Sequence, residues 1–381
     1  MVRSRVQSAF LLISITLVSL LVLGCRKPVN EEKLDSRGLD LRYATHFSAS
    51  ETDFGYIVSL FPNGKEDGCH LYALTRNDTC RVPEWTTKIH IPVGRVATNS
   101  GSVFEFLRLL GGLDGLVATC DAKFVYSDTI RQRIESGAIL SLGSSYDINV
   151  EQLLLSKPDI LLLSDLRDDP QANVCPVVHN FEWKESSALG RAEWIKFLGL
   201  LLDKKDLADS IFVGIEQRYE ALTGLTDTVR YLPTVFAAGC FGDTWYMTAG
   251  QGYMADMYQA AGGDYLLKEM DMPTFTCGTE WLLAHYADAD FWMNCHLYDL
   301  KDIDSRLRDM KSFKQGNVYH FNKRSLPGEG YSVSDFYESA VAHPDLLLAD
   351  LISIFHPEIL PTHETKYIGR CVPMTEKIEK R

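Results

Sequence analysis

Two runs of alternating strand and helix, separated by the longest helical stretch in the chain, constrain this sequence more than any other feature. The first run opens with strand-like residues 95–98 and a helix at 102–110 that stops at Gly111-Gly112. A strand at 116–119 follows, then helices at 128–135 and 149–156. Next comes Asp159-Ile160-Leu161-Leu162-Leu163, an uninterrupted apolar strand of the kind buried on both faces, and another strand at 174–178. Residues 190–222 place Trp194, Ile195, Leu198, Leu201 and Leu202 on one helical face and Ile211, Phe212, Ile215, Tyr219 and Leu222 on another. The polar run Asp203-Lys204-Lys205-Asp206 interrupts them, which predicts two consecutive helices, the second long enough at ~1.5 Å per residue to cross between domains. After Pro233 the alternation restarts, with strands at 234–238, 289–293 and 317–321 and helices at 253–261, 279–286, 333–341 and 345–355. Such alternation implies an α/β fold of mostly parallel sheets with helices on both faces, in two halves flanking a helical connector.

Ahead of this body, residues 43–93 carry short β-prone segments split by Pro62-Asn63-Gly64 and Asn77-Asp78, which predicts a small β meander. The expected boundaries are an N-terminal lobe at 43–203 including that meander, a connecting helix at 204–230, a C-terminal lobe at 231–361 and a tail at 362–381. The body is amply foldable: 46% of the 381 residues are hydrophobic and 11% aromatic. A formal net charge of −13 would repel a phosphate backbone and argues against a nucleic-acid partner.

At the chain start, Arg3 and Arg5 precede an apolar run over 10–23, the charged-then-apolar order of a secretory signal. The run is shorter than the ~20 residues a transmembrane helix needs. It ends in Val22-Leu23-Gly24-Cys25, which resembles a bacterial lipoprotein cleavage box. Residues 1–24 are therefore expected to be removed and Cys25 to carry lipid, with polar residues 25–42 as a flexible tether and the protein held in the periplasm on a membrane. Eight cysteines remain: an oxidising compartment permits disulfides, and the Cys69/Cys80 spacing suits two neighbouring strands joined by a short polar loop. No C-x-x-C occurs, so the other cysteines read as buried thiols.

Several segments resemble the binding proteins that serve ABC importers of ferric siderophores, haem and cobalamin. The segment Asn149-Val150-Glu151-Gln152-Leu153-Leu154-Leu155-Ser156-Lys157-Pro158-Asp159-Ile160 is similar to that family's N-x-E-x-I-x-x-L-K-P-D-L pattern, and Gly278-Thr279-Glu280-Trp281-Leu282-Leu283 is its counterpart in the second half. Gly190-Arg191-Ala192-Glu193-Trp194-Ile195, Trp245-Tyr246-Met247-Thr248-Ala249-Gly250-Gln251 with Ala261-Gly262-Gly263, and His343-Pro344-Asp345 with His356-Pro357-Glu358 follow in family order. The resemblance spans residues 95–361. It implies two Rossmann-like α/β lobes joined by a rigid helix, a ligand in the cleft between them, and partners in a permease and its ATPase. It further implies that Glu151 and Glu280, one per lobe, meet arginines of the permease, with charge setting encounter and register.

Cleft-facing loops are expected at 98–100, 120–126 and 144–146 in the first half and at 239–246, 295–298 and 322–331 in the second. Their aromatics Tyr146, Trp245, Tyr246 and Tyr331, with Phe336, could wall a large planar or greasy chelate. Arg324 and Lys123 could pair with its carboxylates, and Cys120, His296 and Met272 are candidate soft ligands to its iron or cobalt. The expected role is thus a monomeric carrier of an iron or cobalt chelate, with no catalytic cofactor. Two alternatives stay open. One is a carrier of a bare divalent metal, although no histidine pair has helical or short-loop metal spacing. The other is a lipid-anchored hydrolase or chelatase, although the G-x-S-x-G, P-loop, H-E-x-x-H and Rossmann glycine motifs are all absent.

Overall fold

The computed structural model describes residues 37–65, 68–166, 173–295, 304–328 and 331–371. The expected signal, Cys25, most of the tether and His296 lie outside them, as does the side chain of Tyr331. Among the described residues, no helix is long and apolar enough to cross a membrane.

Strands β1 (Phe47–Thr52), β2 (Gly55–Leu60), β3 (His70–Thr75) and β4 (Thr87–His90) pair in chain order. The first two pairings are antiparallel, as a meander requires, but β3 and β4 run parallel with Tyr72 opposite Thr87. The disulfide expected of Cys69 and Cys80 is not formed, and both thiols are free. The expectation needed the two cysteines on neighbouring strands either side of a short loop, but Cys69 precedes β3 and Cys80 follows the turn after it, outside any strand.

The first lobe is built on five parallel strands in the order β9-β8-β5-β6-β7: β5 (Val96–Thr98), β6 (Leu116–Thr119), β7 (Leu140–Ser141), β8 (Ile160–Leu163) and β9 (Val177–His179). Every residue of β5, β6 and β8 is buried, as their apolar character demands of strands covered on both faces. Helices α1 (Ser102–Leu109), α2 (Asp128–Glu135) and α3 (Val150–Ser156) alternate with them. The β1–β4 sheet shares their core: Phe47 packs on Trp194 and Phe197 with ring centroids 4.9 and 5.9 Å away.

Two consecutive helices link the lobes. Helix α4 (Ala188–Leu201) is buried on nearly every side, so it lacks an amphipathic stripe, and α5 (Lys205–Thr226) packs against it. Asp203 breaks them in the left-handed region at φ 53°. Two buried glutamates of this region clasp the incoming chain: Glu193 accepts hydrogen bonds from the amides of Tyr43 and Ala44 at 2.8 Å, and Glu185 from those of Thr45 and His46 at 3.0 Å. The Gly-Arg-Ala-Glu-Trp stretch is therefore a structural node.

In the second lobe β10 (Thr234–Phe241) pairs in parallel with β12 (Asp264–Tyr265) and β14 (Phe291–Met293). Strands β11 (Thr244–Thr248) and β13 (Thr274–Cys277) extend it as an antiparallel ribbon that the periodicity did not announce. Helices α6 (Tyr253–Ala260) and α7 (Thr279–Tyr286) follow β11 and β13. The chain leaves α6 through Gly262 at φ +76°, where a Cβ would lie 2.8 Å from His356 Nε2. The short strand β15 (Tyr319–His320) then leads to a hairpin, β16 (Ser325–Gly328) with β17 (Tyr331–Ser334). The helix expected at 333–341 is correspondingly shorter, α8 (Phe336–Ser339) plus a 3₁₀ turn, because its first residues belong to that hairpin. Helix α9 (Pro344–Phe355) and β18 (Gly369–Arg370) complete the described chain, with Asp350 of α9 buried and accepting from the amides of Lys366, Tyr367 and Ile368.

Candidate functional site

A cavity of about 290 Å³ lies between the lobes. Its first wall is Phe104, Glu105 and Arg108 of α1 with Tyr126 and Ser127 before α2; its second is Arg324, Asp335 and Glu338 on the β16–β17 hairpin and α8. It draws on two of the six loops expected to face the cleft.

Glu338 joins the walls. Its carboxylate, on a residue 6% exposed, accepts from the amides of Tyr126 and, at 3.0 Å, Ser127. Those amides lie just before α2, at the positive end of its dipole, which favours an anion. Burial pushes the Glu338 carboxyl up to about 7; the two amides act against that rise, while Asp335 and Glu105 add to it. Beside it, Arg324 Nε lies 2.6 Å from Asp335 Oδ2, and its guanidinium carbon is 5.6 Å from the Tyr126 ring centroid. On the facing wall Glu105 Oε1 accepts from Arg108 at 2.6 Å and lies 2.6 Å from His343 Nε2. Burial alone would raise the Glu105 carboxyl, but those two partners hold it down at about 2. The cleft is thus strongly polar, with its guanidiniums already engaged by carboxylates. Such a wall can orient a polar guest by exchanging these internal pairs for pairs with it.

Of the residues singled out from the sequence, Arg324 lines this cavity and Phe336 opens the helix carrying Glu338. The Phe336 ring stacks on Phe321 at 4.8 Å and packs against the second lobe's core. Trp245 is a correction: it is 3% exposed, its indole donates to Thr279 Oγ1 at 3.0 Å, and its ring meets Trp292 edge-on at 5.5 Å, so it supports β11 from inside the core. Tyr246 alternates to the opposite face of β11 and is half exposed. Tyr146, 88% exposed, occupies the tight turn after Ser144, and Lys123 sits in a turn after β6 with its ammonium 4.8 Å from the Phe124 ring centroid. Cys120 is buried in the first lobe and Met272 is exposed on the second. Among the described residues, no group of three or more His, Cys, Asp or Glu side chains is placed to hold a metal ion.

Glu151 and Glu280 each occupy the first turn of a helix, α3 and α7, and each is exposed. Asn149 caps α3 by accepting from the Gln152 amide at 3.0 Å, leaving Glu151 without that duty. Glu280 pairs with Arg306 at 3.0 Å, and that contact lowers its pKa. Glu105, Arg108, Tyr126, Asp335 and Glu338 escaped the sequence reading. A glutamate inside an apolar segment, Phe336-Tyr337-Glu338-Ser339-Ala340-Val341, was the one available signal for a buried carboxyl.

Comparison with known proteins places this geometry. The family model described as periplasmic binding protein matches residues 96–324. An uncharacterised lipoprotein of Methanocaldococcus jannaschii is 22% identical over 321 residues, covering 77% of this chain and 74% of its own. The structure resembles a periplasmic haem-binding protein from Pseudomonas aeruginosa, with a TM-score of 0.55 and 16% identity over 73% of this chain and 98% of that one. It also resembles the siderophore-binding protein BauB, solved with two acinetobactin molecules and ferric iron, with a TM-score of 0.53 and 17% identity over 69% and 93% of the two chains. With the family model spanning more than half of its length and the two-lobe fold shared, this chain belongs to the periplasmic binding protein family.

Proposed function

We propose that this protein is the substrate-binding component of an ABC importer and that it carries a metal chelate, such as a ferric siderophore, haem or a cobalamin, in the cavity between its lobes. The observation that carries this reading is that cavity: its walls come from both lobes and present Arg108, Arg324, Tyr126 and Glu338 to one space. Polar groups converging between two lobes suit a guest that bridges them. The structural relatives named for haem and for a ferric siderophore support the class of cargo. Glu151 and Glu280 are the proposed docking contacts with the permease, and Cys25 the proposed lipid attachment that keeps the carrier beside it.

The test is titration of the protein lacking residues 1–25 with haemin, cobalamin and ferric siderophores, following tryptophan fluorescence and the visible spectrum of the chelate. Saturable binding of one of them is the expected result. Silence from all three, with tight binding of Zn²⁺ or Mn²⁺, would transfer the assignment to a bare-metal carrier.

A further inference from the structure

The charges around the inter-lobe cavity do not balance. Its described lining holds four carboxyl side chains, Glu105, Asp128, Asp335 and Glu338, against two guanidiniums, Arg108 and Arg324. Both guanidiniums are already paired. Arg108 meets Glu105 through Nε at 2.7 Å and through a terminal nitrogen at 2.6 Å, and Arg324 meets Asp335 through Nε at 2.6 Å. Asp128 has its own cation in Arg131, three residues along α2. Glu338 has no ion-pair partner among the described residues, and its carboxylate accepts from two neutral backbone amides.

Within the pairs, the carboxylates of Glu105 and Asp335 are the buried members and the guanidiniums are about half exposed. A guest therefore meets N–H donors whose positive charge is already cancelled, beside one carboxyl with no counter-ion. Donors of that kind suit neutral oxygen acceptors. A guest bringing its own carboxylates has to break a pair, which strands a buried charge, or lie against Glu338, which opposes like charges. The rise of the Glu338 carboxyl, to which Asp335 and Glu105 contribute, reports the same negative field. At longer range the formal net charge of −13 also repels anions.

We infer, on the reading that this cavity holds a metal chelate, that the cargo is a chelate of zero or positive net charge presenting neutral oxygen acceptors, and that Glu338 and the Arg324–Asp335 pair set this selectivity. Among the chelates proposed above, cobalamin and neutral or cationic siderophores meet that requirement. Haem, whose propionates are anionic, does not.

The experiment varies cargo charge with the iron centre held constant. Ferrioxamine B ends in an ammonium; N-acetylation makes that end neutral, and N-succinylation makes it anionic. Each is titrated into the mature protein at low ionic strength, followed by tryptophan fluorescence, with cyanocobalamin and haemin run alongside. The cationic and neutral forms should bind about tenfold or more tightly than the anionic form, with the gap shrinking as salt rises. An anionic form that binds as tightly as the others would overturn the inference, and so would haemin as the sole binder. Asp335→Asn releases the Arg324 charge and Glu338→Gln removes the uncompensated carboxyl, so each should narrow the gap about threefold or more. A gap unchanged in both variants would take the selectivity away from these residues. Silence from every chelate in the set would remove the carrier reading and this inference with it, whereas binding in the wrong charge order removes the inference alone.

Discussion

Glu338 is a buried carboxyl whose chemistry departs from that of its exposed equivalents. Its folded-state value of about 7 lies above the ordinary 4.5, so between those limits the folded protein holds the proton more tightly than the unfolded chain does. Stability therefore falls as pH rises from about 4.5 to about 7, by an amount on the order of 3 kcal/mol. Glu338→Gln should remove that slope while keeping an oxygen to accept from the amides of Tyr126 and Ser127. The check is urea unfolding of both proteins at pH 5 and pH 8: the wild type loses more stability across the interval, and matching profiles would show that the carboxyl titrates normally. This residue was illegible in the sequence because the burial that raises its pKa, and its amide partners more than two hundred positions away, arise only in the folded chain. Arg324 was legible only as a charge in a loop, and its place in the cleft came from the hairpin that carries it.

At the scale of elements, helix α4 acts as a clasp for the incoming chain. Glu193 is fully buried with Lys196 at 2.7 Å, and it satisfies amides of residues 42–44 that would otherwise lack partners. Glu193→Ala should cost about 3–5 kcal/mol, because it strands a buried ammonium and several buried N–H groups. Denaturant unfolding measures that directly, and a loss below about 1 kcal/mol would mean that water replaces the carboxylate. Helices α3 and α7 carry the docking prediction. Glu151→Arg combined with Glu280→Arg should preserve fold and cargo affinity, since both side chains are exposed and outside the cavity lining. Charge reversal at a docking rim slows encounter and opposes like charges, so ligand-dependent ATPase activity of the cognate importer in liposomes should fall severalfold or more. Normal stimulation would remove the docking role. The existing Glu280–Arg306 pair suggests the mechanism of exchange, one arginine for another.

For the whole molecule, the paired helices α4 and α5 predict limited motion. Helix α5 alone runs 22 residues, about 33 Å at 1.5 Å per residue, and it packs along α4 and α9. Solution scattering with and without cargo should show a change in radius of gyration within about 1 Å, whereas a decrease of several ångströms would mean a hinge of the multi-strand kind. The architecture was the most legible level of this protein. Periodicity alone located α1, α2, α3 and the α4–α5 break to within a residue or two, because burial on one stripe or on two faces writes itself into local composition. The antiparallel ribbon β11–β13 and the hairpin β16–β17 did not register, since their strands are neither uninterruptedly apolar nor cleanly alternating. Side-chain direction was likewise hidden: Trp245 and Tyr246 are neighbours, yet one props the core and the other faces outward, a choice made by strand register. What the sequence determined by itself was the α/β class, the two halves and the helical connector, all of which depend on short-range pattern. Tertiary structure alone decided which charges share the cleft and which glutamate bridges it, because each of these is a contact between distant segments and electrostatics follows distance in space.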